Sequence, residues 1–291
     1  MLRLRAPEGM ADSLVLPKVA EVDSSNKLEG FLSELRELDM DPVPLFVEFK
    51  GRDISRDGSL SIISIYVRPL NKIYLINIHS IGMDGTFYTE DFGGTTLQSI
   101  FKCSVLRKAF FDVRGASNIL FHNHGFTLDG IVDIQLMELA TRNGSREFLR
   151  GLATCVRNDS PLSAEEKKRW EEYDEFRRHI FSPEITSDSD FAKLWTKSPI
   201  STEIKDHCVC SLVALSRLYD VYDERLKQGA TKFWKTEIRS ATETRINDSK
   251  QEDFDVHDRK NAYGPWDEEE LKMKMERRDG CPRGLTRSDR E

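Results

Sequence analysis

The chain has 291 residues, of which 38% are hydrophobic and 32% are charged, and its net charge is −7. That length and composition suit one large domain, with or without extensions. No apolar run approaches the ~20 residues that a membrane-spanning helix needs, and the acidic net charge disfavours a strongly basic duplex-binding module. The five cysteines are scattered and odd in number. We therefore expect an intracellular protein, cytoplasmic or nuclear, with no membrane partner.

The N-terminal third of the chain changes from helical to strand-like patterning. Residues 1–25 show no sustained periodicity and predict a flexible extension. Apolar residues at helical spacing then predict a helix over Asn26–Leu38. Three runs rich in β-branched and aromatic residues follow, separated by short turns. They predict an antiparallel meander over Leu45–Phe49, Leu60–Val67 and Ile73–Ile78.

Helices and strands alternate in the next part of the chain. Ala109–Val113 and Ile131–Ile134 are typical of buried strands. The predicted helices are Thr96–Cys103, Ser117–His124 with Gly125 as its C-cap, and Gln135–Arg142. A meander followed by strand–helix units predicts an α/β fold, with a mixed sheet flanked by helices.

The C-terminal half is predicted to be helical. Its candidate helices are Phe148–Val156, Ala164–Ile180, Glu203–Leu226 and Thr231–Ile246. We expect a domain over residues 26–230 and a helical extension over 231–266 packed on it. Residues 267–291 have an acidic run followed by a mostly basic one, which predicts a disordered tail, with a charged helix or a partner-binding segment as the alternative.

Five segments in a fixed order carry recognisable motifs: LFVEFKGRDISRDGSLSIISI, KIYLINI, FDVRGASNILFHNHG, GIVDIQLMELATR and EIKDHCVCSLVALSRL. Together they resemble the 3′–5′ exonuclease domain of the DEDD type, in its ribonuclease D-like branch. Fungal exonuclease-domain proteins are the members that the chain resembles most. The resemblance covers roughly residues 26 to 266 and implies a ribonuclease H-like fold.

The resemblance also implies a chemistry. Members of this family hydrolyse phosphodiesters with two divalent ions about 4 Å apart, held mainly by carboxylates. The family motif supplies an Asp and a Glu two residues apart on one strand, and the period of a strand places both on one face. A third Asp follows a later strand. The fourth lies on a C-terminal helix, four residues after a Tyr or His. An active member would therefore use Mg²⁺ or Mn²⁺.

This chain departs from the family motif at most of these positions. The resemblance aligns Glu48 and Lys50 with the first pair, Ala116 with the third ligand, and His207 and Ser211 with the last motif. Only Glu48 keeps a carboxylate, and only Glu48 and His207 keep side chains that could function. We expect Lys50 to pair with Glu48 and to place its ammonium where a metal would lie. One carboxylate cannot hold two hydrated Mg²⁺ ions, so the resemblance implies a degenerate site and no bound metal.

Five further residues near these positions are candidates for substrate binding or for a structural role. Arg114, Asn118 and Arg142 are candidate substrate-binding residues. In an active member of the family such arginines would contact phosphates, and ordinary surface charge is the alternative, slightly favoured, interpretation. Asp112 and Asp133 also align with family aspartates. We predict a structural role for both, because an Asp at the end of a strand commonly caps the helix or turn that follows.

Three functions remain open at this point. The first is a pseudo-exonuclease that binds single-stranded nucleic acid and needs no cofactor. The second is a weakly active metal-dependent 3′–5′ exonuclease that uses Glu48, His207 and Asp112 with Mg²⁺ or Mn²⁺. The third is a protein–protein interaction scaffold with no nucleic-acid contact. A compact carboxylate cluster would favour the second, a Lys/Arg track the first, and a neutral or acidic groove the third.

Overall fold

The computed structural model describes residues 16–38, 44–180, 195–229 and 231–279. Its centre is a six-stranded mixed sheet in the order β1–β4–β3–β2–β5–β6. β2, β3 and β4 form the predicted antiparallel meander, while β1 runs parallel to β4, β5 to β2, and β6 to β5. The predicted mixed sheet with flanking helices is confirmed. The strands are β1 (Lys18–Val22), β2 (Leu45–Lys50), β3 (Ile62–Val67), β4 (Lys72–Asn77), β5 (Lys108–Phe110) and β6 (Ile131–Asp133).

Helices cover both faces of the sheet. Their bounds are α1 (Ser25–Arg36), α2 (Ile78–Ile81), α3 (Met83–Tyr88), α4 (Leu97–Lys102), α5 (Arg114–His124), α6 (Ile134–Thr141), α7 (Leu152–Asp159), α8 (Ala164–Ile180), α9 (Thr202–Gln228), α10 (Thr231–Asp248) and α11 (Glu268–Asp279). No helix in the described part of the chain is both long and apolar enough to cross a membrane.

The side-chain alternation of the strands divides the core into two apolar layers. Along β4, Ile73 and Leu75 face the layer that contains α6, α9 and α10, whereas Tyr74 and Ile76 face the layer that contains α1, α4 and α5. Both layers are fully buried at these strand positions. The sheet is therefore covered on both faces, and α9 lies across the face on which the side chain of Phe46 in β2 is buried.

Near each end of the described chain, one element lies where the sequence predicted no regular structure, as does α3 within the chain. Lys18–Val22, within the predicted flexible extension, forms strand β1 against β4. Glu268–Asp279, within the predicted disordered tail, forms helix α11, whose Leu271 is buried and whose Lys274 pairs with Glu237 of α10. The rest of both predicted segments, residues 1–15 and 280–291, lies outside the described residues.

Several boundaries also differ from the prediction for local reasons. β4 ends at Asn77 because the Asn77 side chain accepts a hydrogen bond from Ser80 N and begins α2. β5 ends at Phe110, two residues before Asp112, whose φ of 60° is left-handed and leaves the strand conformation. α7 begins only at Leu152, because Phe148 pairs instead with Tyr263. Gly125 ends α5 in the left-handed conformation, as predicted.

Candidate functional site

A cavity of about 870 Å³ opens beside the C-terminal end of β2. We call it the β2 cavity. Its walls are the β2–β3 loop, the start of α5, the start of α7, the middle of α8 and the first half of α9. All five positions that the resemblance aligned with the family motif line this one cavity: Glu48, Lys50, Ala116, His207 and Ser211.

Lys50 is held between Glu48 and His207. Its Nζ lies 2.5 Å from Glu48 Oε1 and 3.0 Å from His207 Nε2. An ammonium has donors only, so Nε2 must accept and the neutral imidazole must carry its proton on Nδ1. Lys50 and His207 are each only 4% exposed. We call these three residues the Lys50 cluster; in it the predicted pairing of Lys50 with Glu48 is present.

Ser211 and Ala116 complete the aligned set without adding a charge. Ser211 follows His207 by four residues on α9, which places both on the same face of that helix. Ser211 is 5% exposed, and within the described residues its hydroxyl makes no hydrogen bond. Ala116 lies on α5 and contributes a methyl group. The cavity thus has a carboxylate, an ammonium, an imidazole and a hydroxyl at these positions.

The cysteine next to His207 belongs to the core. Cys208 is wholly buried on α9, and burial raises the pKa of its thiol to about 11, against smaller opposing effects of Lys50 and Ser64. A thiol with that pKa stays protonated at neutral pH, whereas metal binding needs the thiolate.

Asp133 is the centre of a second charged cluster. Its carboxylate accepts from the backbone N–H groups of Val113, at 3.2 Å, and of Gln135, at 3.1 Å, and so caps α6. Arg245 of α10 contacts the same carboxylate at 2.7 Å. Asp133 is wholly buried and Arg245 is 6% exposed. These contacts join β6, α6 and α10, so the aspartate has a structural role, as predicted.

Asp112 belongs to the same assembly. Arg114 binds it through two nitrogens, at 2.7 and 2.6 Å, and Arg245 lies 3.8 Å away. Burial opposes ionisation, but the hydrogen bonds from Arg114 and the charge of Arg245 outweigh it and hold the pKa of Asp112 below its usual value. Asp112 also lines the β2 cavity. We call Asp112, Arg114, Asp133 and Arg245 the Asp133 cluster.

The remaining charges on the cavity wall are also paired. Asp53 contacts His257 at 2.8 Å, Arg178 contacts Asp174 at 3.3 Å, and Arg157 contacts Glu171 at 3.0 Å. Among residues 16–38, 44–180, 195–229 and 231–279, no group of three or more His, Cys, Asp or Glu side chains is arranged to hold a metal ion.

The three candidate substrate-binding residues do not line the cavity. Arg114 is bound to Asp112 and to the carbonyl of Asn261. Asn118 is almost fully buried and joins the backbone of Arg56 to that of Ser249. Arg142 is an ion-pair partner of the buried Glu138 on α6 and also donates to the Phe148 carbonyl. A role of the three residues in substrate binding stays a prediction.

The cavity includes residues that the sequence analysis did not single out. Arg157 of α7 and Trp170, Tyr173 and Arg178 of α8 line its wall. The alternating charges of α8 hid this role, because such patterns are typical of exposed helices. The signal that was present is Trp170 and Tyr173, two aromatic residues three positions apart among the charged residues of that helix.

The sequence matches no protein-family model and no curated protein. The fold is similar to that of Trypanosoma brucei RNase D, with a TM-score of 0.63 and 14% identity over 91% of this chain and 82% of that chain. It is also similar to that RNase D in complex with RNA U12 (TM-score 0.59, 14% identity, 88% and 79% covered). Escherichia coli RNase D, an exoribonuclease, gives a TM-score of 0.53 and 11% identity over 80% and 51%. The chain therefore has the fold of RNase D-like 3′–5′ exonuclease domains.

Proposed function

We propose that this chain is a pseudo-exonuclease, an RNase D-like domain that binds single-stranded nucleic acid in the β2 cavity without hydrolysing it through two metal ions. The position of Lys50 carries the proposal. Its ammonium is in direct contact with Glu48, the one carboxylate that the aligned positions keep, and with His207. At the positions that the resemblance aligns with metal ligands, the protein thus has a cation of its own, and this supports the proposal.

The donor set does not fit a pair of divalent ions. Two hydrated Mg²⁺ ions about 4 Å apart need several oxygen ligands, most of them carboxylates. The aligned positions offer one carboxylate, while Ala116 offers no ligand and Ser211 a neutral hydroxyl. A metal ion at Glu48 would also have to displace the buried Lys50 ammonium, which repels it.

Three features of the cavity support binding of a strand. Lys50, Arg157 and Arg178 line it, and Trp170 and Tyr173 are aromatic residues on the same wall. The Arg157–Glu171 ion pair is exposed on both sides and therefore weak, so the Arg157 guanidinium can exchange its carboxylate for a phosphate. Arg178 is itself exposed, but its partner Asp174 is buried, so that pair stays formed. Aromatic rings beside basic side chains are typical of single-strand binding. Tyr173 is the more accessible of the two rings, since Trp170 is 6% exposed and belongs to the core. An RNase D of the same fold has been captured with RNA U12.

The test combines a binding assay and a degradation assay. We expect a fluorescently labelled single-stranded RNA to bind the protein and to remain intact in Mg²⁺ or Mn²⁺. Metal-dependent trimming from the 3′ end that Glu48→Ala abolishes would overturn the proposal. Glu243→Ala, which removes a glutamate that is 59% exposed on α10, serves as the matched control.

A weakly active exonuclease is the second candidate. The observation in its favour is that Asp112 lines the same cavity as Glu48. Against it, both Asp112 oxygens already accept hydrogen bonds from Arg114. This candidate requires that Asp112→Asn and Glu48→Ala each abolish trimming.

A protein-binding scaffold is the third candidate. Phe92 is fully exposed between α3 and α4 and could contact a protein partner. This candidate takes first place if neither single-stranded RNA nor single-stranded DNA binds the protein.

A further inference from the structure

We infer that Lys50 is the resident cation of the β2 cavity and anchors a phosphate group of the bound strand, so that binding needs no divalent ion. This inference rests on the proposed function. It assigns the ligand group and the residues that hold it: Lys50 with Ser211 at the floor, and Arg157 with Arg178 at the wall.

The ammonium of Lys50 retains one donor for a ligand. It has three N–H groups, and Glu48 Oε1 and His207 Nε2 account for two of them. Charge-assisted hydrogen bonds from an ammonium to a phosphate oxygen are among the stronger polar contacts in proteins. A phosphate oxygen at the floor of the cavity would therefore complete the coordination of Lys50.

Ser211 provides an independent observation. Its side chain is almost fully buried, lines the same cavity, and makes no hydrogen bond within the described part of the chain. The Ser211 Oγ atom is not one of the fully buried, unpartnered polar atoms of the described residues, so the hydroxyl opens on the cavity. It can therefore donate to a phosphate oxygen beside Lys50.

The surroundings of these two donors tolerate an anion. Asp112 and Asp174, which also line the cavity, are each already paired with arginine. The first turn of α7, at Leu152 and Ala153, borders the cavity as well, and the N-terminus of a helix favours negative charge. Glu48 is the one carboxylate that competes directly with a phosphate, because both bind Lys50.

This competition reverses the role that Glu48 would have in a metal-dependent enzyme. In a metal-dependent enzyme this carboxylate would hold the metal ion that binds the strand, so that neutralising the carboxylate would weaken strand binding. In this chain the Glu48 carboxylate binds Lys50 and so competes with the phosphate for it. Glu48→Gln removes the charge and keeps the shape of the side chain, so the inference predicts tighter binding.

The experiment measures fluorescence anisotropy of a short labelled single-stranded RNA titrated with the full chain, in EDTA and in Mg²⁺. We expect equal affinity in both buffers. Lys50→Gln should weaken binding roughly tenfold or more, the usual effect of losing one charge-assisted hydrogen bond. Ser211→Ala, which leaves the Lys50 ion pair intact, should weaken it by a smaller factor, and Glu48→Gln should tighten it. Lys27→Gln, at an exposed lysine of α1, is the control and should change nothing.

Three results would overturn the inference: loss of binding in EDTA, weaker binding of Glu48→Gln, or unchanged binding of Lys50→Gln in a variant that melts like wild type. If wild type binds the strand but Lys50→Gln has no effect, the inference falls and the proposed function stands. If wild type binds no strand at all, the inference and the binding half of the proposed function fall together. The absence of two-metal hydrolysis is tested separately by the degradation assay.

Discussion

The Lys50 cluster and the Asp133 cluster both pair carboxylates with cations, but they differ in what surrounds them. Asp133 is wholly buried and joins β6, α6 and α10, whereas Glu48 is 25% exposed and faces the β2 cavity. The aspartates that this chain shares with the family pattern thus have structural contacts that explain their presence. Of the aligned positions in the cavity, by contrast, three carry lysine, alanine and serine and only Glu48 carries a carboxylate. Asp112 and Asp133 are therefore weak evidence for catalysis at this cavity, because structural contacts account for them.

The largest effect is expected at the Asp133 cluster. Arg245→Met leaves Asp133 buried without its cation, and breaking a buried ion pair in this way typically costs about 3–5 kcal/mol of unfolding free energy. Urea denaturation measures it. Arg239→Ala, six residues earlier on α10 and 82% exposed, should cost less than about 1 kcal/mol. Equal effects of the two variants would contradict the structural role of the cluster.

Lys108 differs from the cations of the two clusters, because within the described residues it is buried without a carboxylate partner. Lys108 is wholly buried and donates to the carbonyls of Cys103 and Leu106. Burial lowers its pKa to about 8, whereas the unfolded chain keeps the proton until about pH 10.4. Between these values the unfolded state binds more protons, so stability rises with pH, by at most roughly 3 kcal/mol.

The measurement for Lys108 compares urea denaturation of wild type and Lys108→Met between about pH 7 and pH 10. The unfolding free energy of wild type should increase relative to that of the variant above the folded pKa of about 8, and the difference should be constant below it. Parallel pH profiles of the two proteins would show that the Lys108 proton is not perturbed by folding.

A smaller effect on stability is expected at the Lys50 cluster. Lys50→Met removes a buried ammonium and leaves Glu48, whose side chain is 25% exposed although its Oε2 is buried without a partner in the described residues. We expect a loss of about 1–3 kcal/mol, the range for hydrogen bonds to charged groups, measured by urea denaturation beside Arg245→Met. A loss larger than that of Arg245→Met would mean that the cavity floor is a structural core rather than a binding surface.

The fold was predictable from sequence where its signals are local. The meander β2–β4 was predicted within two residues at each end, because runs of Ile, Val and Tyr are separated by short turns. β1 was missed because KVAEV is short and contains two charged residues, and its stability comes from parallel pairing with the distant β4. α11 was missed for a similar reason. Its charged composition is typical of a tail, and its burial of Leu271 depends on α10.

The site was predictable to the extent that its residues share one element. The period of a strand places Glu48 beside Lys50, and a helical turn places Ser211 beside His207. The wall formed by α7 and α8 was not predictable, since Arg157 and Arg178 reach the cavity only because those helices pack next to α9. Proximity in sequence also did not reveal the contacts of Asn118 and Arg142, whose side chains are bound to other parts of the fold. Their role in substrate binding stays a prediction.

Calorimetric titration with Mn²⁺ tests the central claim most directly. It compares wild type with the variant that carries Lys50→Glu, Ala116→Asp and Ser211→Asp, which restores acidic side chains at the aligned positions. The account predicts no binding by wild type and binding of two ions by the variant, because the fold is kept and only the ligands are missing. Binding of two ions by wild type would contradict it and would make the active exonuclease the better description of this protein.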